Sequence, residues 1–268
     1  MAGNPVFCEA PIGQRFTIST RNAGPIDVQT GLPGSGSRPL SKTLWVDPAT
    51  TTPISYQNGT DDTPFATITA ALAVATDRTT IMLQSYDYTS EGALVAPAIP
   101  ELCLQCIAPG LTVPTLGPLT ATGVVVSCFG IQFVGDVSCY ALWCQFNAGV
   151  YGDVTAPNAA IVVDQSYFYG VVTTSWLSAI HSDVYGGGTC ANVYALSSGM
   201  PDSLNVTSYV EMRDCWWDPG GGIYTFTGAP GQVILDGNSN YSWRATGQSI
   251  SNGAVSYTHL TLPTILLV

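Results

Sequence analysis

The chain contains few charged residues, and basic residues are especially scarce. Only 9% of its 268 residues are charged, with 7 lysines and arginines against 18 aspartates and glutamates, so its formal net charge is −11. An ordinary globular protein carries about 25% charged residues. Nucleic-acid binding depends on clustered basic side chains that neutralise phosphates, and the seven bases form no cluster. We therefore expect no nucleic-acid partner.

Common catalytic and membrane signatures are also missing. The sequence contains no Gly-x-Ser-x-Gly, no phosphate-binding loop and no His-Glu-x-x-His, and His181 is its only histidine before the C-terminal tail. It contains no apolar window of about 20 residues, so we expect no membrane span. Residues 1–13 lack the basic and apolar regions of a signal peptide, so we expect none in this chain.

Apolar and small polar side chains dominate instead. Hydrophobic residues make up 46% of the chain. Several apolar or alternating runs recur at intervals of about 20 residues, which is the lower end of the window for repeat architectures. A coil with short strands and bends needs about that length. The composition suits a solenoid whose surface carries ladders of Thr, Ser, Asn and Gln.

Residues 57–71 predict a turn followed by a short helix. Asn58-Gly59 is typical of a turn, and Pro64 favours an extended residue before it. Ile68, Leu72 and Ala75 share one helical stripe, which predicts a helix over residues 67–75. Apolar and β-branched runs at residues 43–48 and 79–84 predict a strand on each side of it.

This order of elements resembles the N-terminal cap of the pectate-lyase-like β-helix superfamily. The matching residues are Val46-Asp47-Pro48, the loop at residues 58–62, Pro64-Phe65-Ala66-Thr67-Ile68 and Ala70-Ala71-Leu72. The similar stretch covers about residues 44–90. The resemblance implies an all-β fold, a single-stranded right-handed parallel β-helix with a short N-terminal cap helix. Likeness to viral β-helices also makes a homotrimer an expectation.

An aromatic signature recurs within the apolar runs. A small or aliphatic residue stands two places before an aromatic, and alternation puts both on one strand face. The four instances are Gly130-Ile131-Gln132-Phe133, Trp143-Cys144-Gln145-Phe146, Gln165-Ser166-Tyr167-Phe168 and Asp214-Cys215-Trp216-Trp217. The interval from Phe146 to Phe168 predicts one coil, and the longer interval from Phe168 to Trp217 predicts two coils plus an excursion.

Three regions follow from these patterns. Residues 1–42 are either an N-terminal attachment arm or a disordered terminus, in which 15–20 could form a strand and 31–39 is a Gly/Pro/Ser linker. Residues 43–254 form the β-helix domain, with a loop excursion over 186–206. Residues 255–268 resemble translated adapter read-through from metagenomic assembly, and we set them aside as a suspected non-native tail; a real terminal strand at Ile265 to Val268 is the alternative.

The eight cysteines predict buried packing rather than chemistry. Cys103 and Cys106 have CxxC spacing, but no second pair accompanies them, and a strand would send the two thiols to opposite faces. Cys128, Cys144 and Cys215 are expected to be small inward-facing fillers. We expect no metal site, no disulfide and no cofactor.

Catalysis would depend on carboxylates. The candidates near strand ends are Asp164, His181, Asp183, Glu211, Arg213 and Asp214. The resemblance implies that enzymes of this kind use carboxylates on adjacent coils, or calcium with a basic residue. No catalytic motif of the family is present, so these residues are more simply interpreted as strand ends and surface pairs.

Aromatic residues offer a glycan-binding site instead. Sugar rings stack on aromatic faces, and neighbouring polar groups supply hydrogen bonds. The candidates are Trp216, Tyr167, Tyr169, Asp218 and Tyr224. Alternation predicts that Trp216 points outward and Trp217 inward; packing of Trp216 under the predicted excursion is the alternative.

The leading hypothesis is a non-enzymatic virion or surface structural protein, such as a phage tail or spike component, with a glycan-recognising β-helix. Its expected partner is a polysaccharide or cell-surface glycan, and its expected location a virion or an extracellular surface. The alternative is a polysaccharide lyase or glycoside hydrolase that uses carboxylates on adjacent coils. A secreted adhesin is a third hypothesis.

Overall fold

The structure, a computed structural model, describes residues 42–107, 112–201 and 203–217, and the backbone of six further strands. Three of these strands form an antiparallel sheet: β1 (Val6–Glu9), β2 (Arg15–Thr20) and β3 (Ile26–Gly31). A strand is therefore present at residues 15–20, as predicted. The suspected tail at 255–268 and most of the predicted linker lie outside the described residues.

The remaining elements follow in chain order. The first are β4 (Lys42–Val46), α1 (Ile68–Ala73), β5 (Thr79–Leu83), β6 (Leu94–Val95), β7 (Glu101–Cys106), β8 (Thr115–Leu116), β9 (Leu119–Phe129), β10 (Gln132–Phe133), β11 (Val137–Gln145) and β12 (Gly149–Val150). The others are β13 (Val154–Asp164), β14 (Tyr167–Phe168), β15 (Val172–Ile180), β16 (Asp183–Val184), β17 (Gly188–Leu196), β18 (Gly199–Met200), β19 (Ser203–Arg213), β20 (Trp216–Trp217), β21 (Tyr224–Phe226), β22 (Gln232–Asp236) and β23 (Trp243–Ala245). Two 3-10 helices span Ile54–Tyr56 and Thr89–Glu91.

Two parallel sheets form a β-solenoid. The sheet that we call the long sheet runs β23-β21-β19-β17-β15-β13-β11-β9-β7-β5-β4, with β22 paired to β19 and β6 to β9. The short sheet runs β20-β18-β16-β14-β12-β10-β8. Each coil from β8 to β20 adds one strand to each sheet. The predicted parallel β-helix is confirmed, with about six turns.

The helix α1 sits beside the first strands and is held at both its start and its buried face. Thr67 is its N-cap, and the Thr67 side chain accepts a hydrogen bond from the Ala70 amide at 3.2 Å. Ile68 and Leu72 pack into the solenoid core. The predicted cap helix is therefore confirmed, although it ends at Ala73 rather than at residue 75.

The coils are shorter than the interval from Phe146 to Phe168, which had predicted their length. The register of the short sheet pairs Gln132 with Gly149, Gly149 with Tyr167, and Tyr167 with Asp183, and each of these steps is shorter than that interval. At the register shifts, β9 and β13 each contain two more residues than the facing segment of β11, that is, four positions against two and six against four. The coils are shorter than predicted even with these extra residues included.

The shorter coil corrects the aromatic signature. Phe133 and Phe168 are separated by two coils and lie in one inward column of the short sheet, together with Val150 between them. Phe146 lies outside this column, because it follows β11 at a corner with φ 55°. The instance at residues 143–146 is therefore not equivalent to the other three, and Phe146 to Phe168 is not one coil.

The predicted excursion at residues 186–206 is also wrong. That stretch holds β17, β18 and the start of β19, which continue both sheets in parallel pairing, with one register shift between β17 and β19. Its many glycines and small residues suggested a loop, but they pack closely between coils. The ideal Cβ of an alanine at position 186 would lie 1.9 Å from the Gly170 carbonyl oxygen.

The solenoid interior is lined by aliphatic side chains and thiols. Cys128, Cys144 and Cys215 are buried in the main core, as predicted. Cys106 shares that core, whereas Cys103 packs with Phe129 in a second cluster, which confirms opposite faces for the CxxC pair. Among the cysteines in the described part of the chain, none is joined in a disulfide.

Candidate ligand-binding face

Four tyrosines on three successive coils form an aromatic surface, which we call the tyrosine face: Tyr151, Tyr167, Tyr169 and Tyr185. They lie in or directly after the strands β12, β14 and β16 of the short sheet. Their intervening neighbours Val150, Phe168 and Val184 point into the core. Alternation along each short strand therefore sends the tyrosines outward.

Three of these rings stack along the solenoid axis. The centroids of Tyr151 and Tyr169 are 5.0 Å apart with an interplanar angle of 5°, and those of Tyr169 and Tyr185 are 4.5 Å apart at 7°. Tyr151 and Tyr169 remain 46% and 45% exposed. Both faces of the Tyr169 ring are occupied by other tyrosines. This residue can offer a ligand its edge and its hydroxyl, but not the open ring face that the sequence suggested.

Tyr167 is oriented differently from the stacked rings. Its ring stands at 71° to Tyr151 and 68° to Tyr169, and its hydroxyl accepts a hydrogen bond from the Gln132 side-chain amide two coils earlier. The ring fills the space outside Gly149, where an added Cβ would lie 2.3 Å from Tyr167 Cε2. Burial, reinforced by the Tyr151 hydroxyl, raises the pKa of Tyr167. The phenol is therefore a neutral hydrogen-bonding group.

Trp216 repeats this arrangement further along the same sheet. It is 39% exposed, so the predicted outward orientation is confirmed. An added Cβ on Gly199 would lie 3.1 Å from Trp216 Nε1 and 2.4 Å from Asp183 Oδ1, so the indole nitrogen and the carboxylate both lie close to this glycine. Trp216 is three coils from Tyr167, about 14 Å at the usual strand spacing, rather than the two coils plus an excursion that the sequence predicted.

The other two predicted glycan-binding residues are less defined. Asp218 lies outside the described residues. Tyr224 begins β21, whose backbone continues the long sheet rather than the short one. The structure therefore groups Tyr167 and Tyr169, places Trp216 in the same outward column as Tyr167, and leaves Tyr224 on a different sheet.

Two of the predicted catalytic residues turn out to occupy chain corners. His181 and Asp214 have φ values of 48° and 51°, and Gln165 and Ser197 adopt the same conformation on the coils before and between them. The left-handed region is several-fold enriched in Asn, Asp and His. This backbone demand accounts for both residues without any catalytic role.

A buried ladder follows these corners. Ser166, Ser182 and Ser198 come directly after the corner residue on three successive coils, and each hydroxyl donates to the carbonyl two residues before it. The Ser166 amide donates to the Ser182 hydroxyl, and the Ser182 amide to that of Ser198, at 3.2 Å in both cases. These hydrogen bonds hold the corners in register.

The remaining predicted catalytic residues are spread over both sheets. Asp164 ends β13 and is buried on the outer side of the long sheet, three coils from Arg213 in the same column. Glu211 accepts a hydrogen bond from the Arg213 Nε at 2.8 Å and one from the Tyr209 hydroxyl, as a local group within β19. Asp183 belongs to the short sheet.

The described residues contain neither a metal-binding cluster nor a membrane-spanning helix. Among the described residues, no group of three or more His, Cys, Asp or Glu side chains is placed to hold a metal ion. None of the helices described there is long and apolar enough to cross a bilayer.

Sequence reasoning missed Tyr151, Tyr185 and Gln132. A usable signal was present, because Tyr-Gly dipeptides recur at 151–152, 169–170 and 185–186, one in each successive coil. The glycine of each dipeptide packs against the backbone of the preceding coil. This repeat reports the coil length directly, whereas the apolar runs did not.

The tyrosine face thus offers ring edges and phenol hydroxyls along one side of a rigid solenoid, and Trp216 adds an exposed indole further along the same sheet. Comparison of the chain with known proteins gives no match to a family model, to a curated protein or to a solved structure. The fold and this face are therefore the observations on which a function can be proposed.

Proposed function

We propose that this chain is a non-enzymatic structural protein of a virion or cell surface, of the phage tail or spike kind, and that its β-helix recognises a glycan. The tyrosine face carries this proposal. Tyrosine combines a large apolar ring with a hydroxyl at its tip, and few rotatable bonds are immobilised when it binds. Glycans present the matching combination of C–H edges and hydroxyls.

The arrangement of the face supports binding rather than packing alone. Aromatic stacking between coils contributes about 0.5–1.5 kcal/mol per pair, which accounts for the ladder as a stabilising feature. It does not account for the exposure of nearly half of Tyr151 and Tyr169. An exposed aromatic row on a rigid scaffold is a common property of binding surfaces.

The rest of the chain supports a role at a virion or cell surface. Parallel coils form a continuous hydrogen-bonded rod, and the antiparallel sheet β1–β3 gives the N-terminal arm a structure suited to attachment. We extend the proposal to a virion or extracellular surface, on the basis of the N-terminal arm and the few charged residues, and to a homotrimer, on the basis of the likeness to viral β-helices.

A glycan array probed with the full chain tests the proposal. We expect Tyr185→Ala to weaken binding by about tenfold, since loss of one well-placed aromatic contact corresponds to roughly 1.4 kcal/mol. Tyr140→Ala is the matched control, because Tyr140 is 47% exposed but belongs to β11 of the long sheet. Equal loss of binding in both variants would argue against a specific role for the tyrosine face.

The lyase or hydrolase alternative makes a different prediction. It requires carboxylates on adjacent coils, about 5–9.5 Å apart in glycosidases. Asp164→Asn and Asp183→Asn would then abolish release of new sugar ends from polysaccharides while the protein remained folded. Under our proposal the unmodified chain releases none, and any reproducible release that these substitutions abolish would favour the enzyme.

A further inference from the structure

The charge pattern around the tyrosine face limits the kind of glycan that it can bind. No lysine or arginine occurs between Arg78 and Arg213, a stretch that includes every coil bearing the face. The carboxylates beside it are Asp136 and Asp153, which cap backbone amides of the following coils at 2.9 and 2.8 Å, and Asp183 within it. The fixed charges around the face are thus negative, and Arg213, which lies three residues before Trp216, is paired with Glu211 at 2.7 Å.

An acidic glycan would meet repulsion here. Proteins that bind carboxylated or sulfated polymers pair those groups with Arg or Lys, and like charges brought together cost binding energy. The net charge of −11 adds repulsion at long range. An uncharged glycan avoids both penalties and needs only hydrogen bonds and apolar contact.

The short sheet contains two copies of one outward arrangement. In each copy a polar side chain, a glycine and an aromatic side chain occupy the same column on three successive coils: Gln132, Gly149 and Tyr167 in the first, Asp183, Gly199 and Trp216 in the second. In the first copy the Tyr167 hydroxyl reaches back over Gly149 to the Gln132 amide, and in the second the Trp216 indole and the Asp183 carboxylate both lie close to Gly199. A Cβ at Gly149 would collide with the Tyr167 ring, and one at Gly199 would collide with the Asp183 carboxylate.

The two copies and the ladder extend in the same direction. Five coil steps separate Gln132 from Trp216, about 24 Å along the solenoid axis. The stacked rings repeat along that axis at 4.5 to 5.0 Å. A compact ligand would contact one copy only, whereas an extended chain would contact both.

We infer that the ligand is an uncharged, linear polysaccharide that lies along the solenoid axis and contacts both arrangements. This inference rests on the proposed function and specifies its ligand class. The ring edges and phenol hydroxyls of the ladder contact the chain between the two arrangements. Tyr167 and Trp216 provide the two larger apolar contacts.

The experiment compares matched sets of neutral and acidic glycans of several lengths on an array, with the full chain as probe. Galactomannan and mixed-linkage β-glucan fragments represent the neutral class, and polygalacturonate and alginate fragments the acidic class. We expect binding to neutral glycans only, with little change between about 0.01 and 1 M salt because no ion pair is involved. Folding of each variant is checked by thermal melting.

Substitutions then test the two-site geometry and the charge argument. Tyr167→Ala and Trp216→Ala should each weaken binding of long neutral chains by several-fold to tenfold, and fragments too short to span both sites should respond to only one of them. Tyr140→Ala should change nothing. Val134→Lys adds a base on the coil before Tyr151, where Val134 is 53% exposed, and should create salt-sensitive binding of acidic glycans.

Each outcome decides between the two proposals. Strongest binding of an acidic glycan, removed by Tyr185→Ala, would overturn the inference and leave glycan recognition standing. Neutral binding unaffected by Trp216→Ala at every length would overturn the two-site geometry. Failure of the folded chain to bind any glycan would overturn both the inference and the proposed function.

Discussion

Removal of the Glu91 carboxylate should destabilise the N-terminal end of the solenoid. Its two oxygens accept hydrogen bonds from the Ile68 amide at 2.8 Å and from the Thr69 amide and hydroxyl at 2.9 and 2.8 Å. These are among the first amides of α1, which have no acceptor within the helix. A residue 23 positions away therefore caps a helix of only six residues.

The magnitude follows from the groups left without a partner. Loss of a helix cap costs about 1 kcal/mol, and removal of a negative charge from a helix N-terminus about 0.3–1 kcal/mol. With two amides involved, we expect Glu91→Ala to lower the free energy of unfolding by about 2–3 kcal/mol. A helix as short as α1 is not stable alone, so fraying would also expose Ile68 and Leu72.

Urea unfolding and amide hydrogen exchange measure this effect. The Ile68 and Thr69 amides should lose protection before the rest of the solenoid does. Glu101→Ala is the matched control, because Glu101 forms a salt bridge with Arg78 near the surface that is worth about 0–1 kcal/mol. If Glu91→Ala changed stability by no more than the control and left both amides protected, the proposed role of the carboxylate would be refuted.

Two further predictions concern packing between coils and buried thiols. Gly186→Ala should destabilise the fold by several kcal/mol, because its Cβ would clash with the Gly170 carbonyl. Gly123 has open space around it but a φ of +76°, so Gly123→Ala should destabilise the fold by only about 1–2 kcal/mol. Urea unfolding measures both changes. Burial raises the pKa of Cys103 and Cys190 from 9.0 to about 12. The folded state therefore keeps thiol protons that the unfolded state releases, so stability should be complete below pH 9 and fall as the pH rises towards 12. The unfolding midpoint is measured across that pH range for the unmodified chain and for the double variant that carries Cys103→Ser and Cys190→Ser. The same pH dependence in both proteins would contradict this prediction.

Several local features were predictable because they depend on residues close together in the chain. Thr67 and the apolar stripe after it are sufficient for a capped helix, and β-branched runs on both sides favour strands. Alternation alone predicted the outward direction of Trp216 and the opposite faces of Cys103 and Cys106. Each of these inferences requires only the strand or helix period.

The coil length was misjudged because the apolar runs do not mark equivalent positions. Phe146 resembles Phe133 and Phe168 in its local sequence, but the chain has already turned a corner when it reaches Phe146. The glycines at residues 186–188 suggested a loop. The preceding coil in fact lies so close to residues 186 and 188 that only glycine fits there. A loop and a tight coil contact require the same residue, and only the neighbouring coil distinguishes them.

The sequence by itself determined the capped N-terminal start of the solenoid and which face of each strand is apolar, because these properties follow from short-range periodicity and turn chemistry. The β-helix fold class was predicted from the resemblance of residues 44–90 to the cap of known β-helices. Only the tertiary structure decided that Tyr151, Tyr169 and Tyr185 stack, and that His181 and Asp214 are corner residues. The physical reason is that contacts between coils join residues a full coil apart in the chain, so a change of one residue in one coil changes the register of all later contacts.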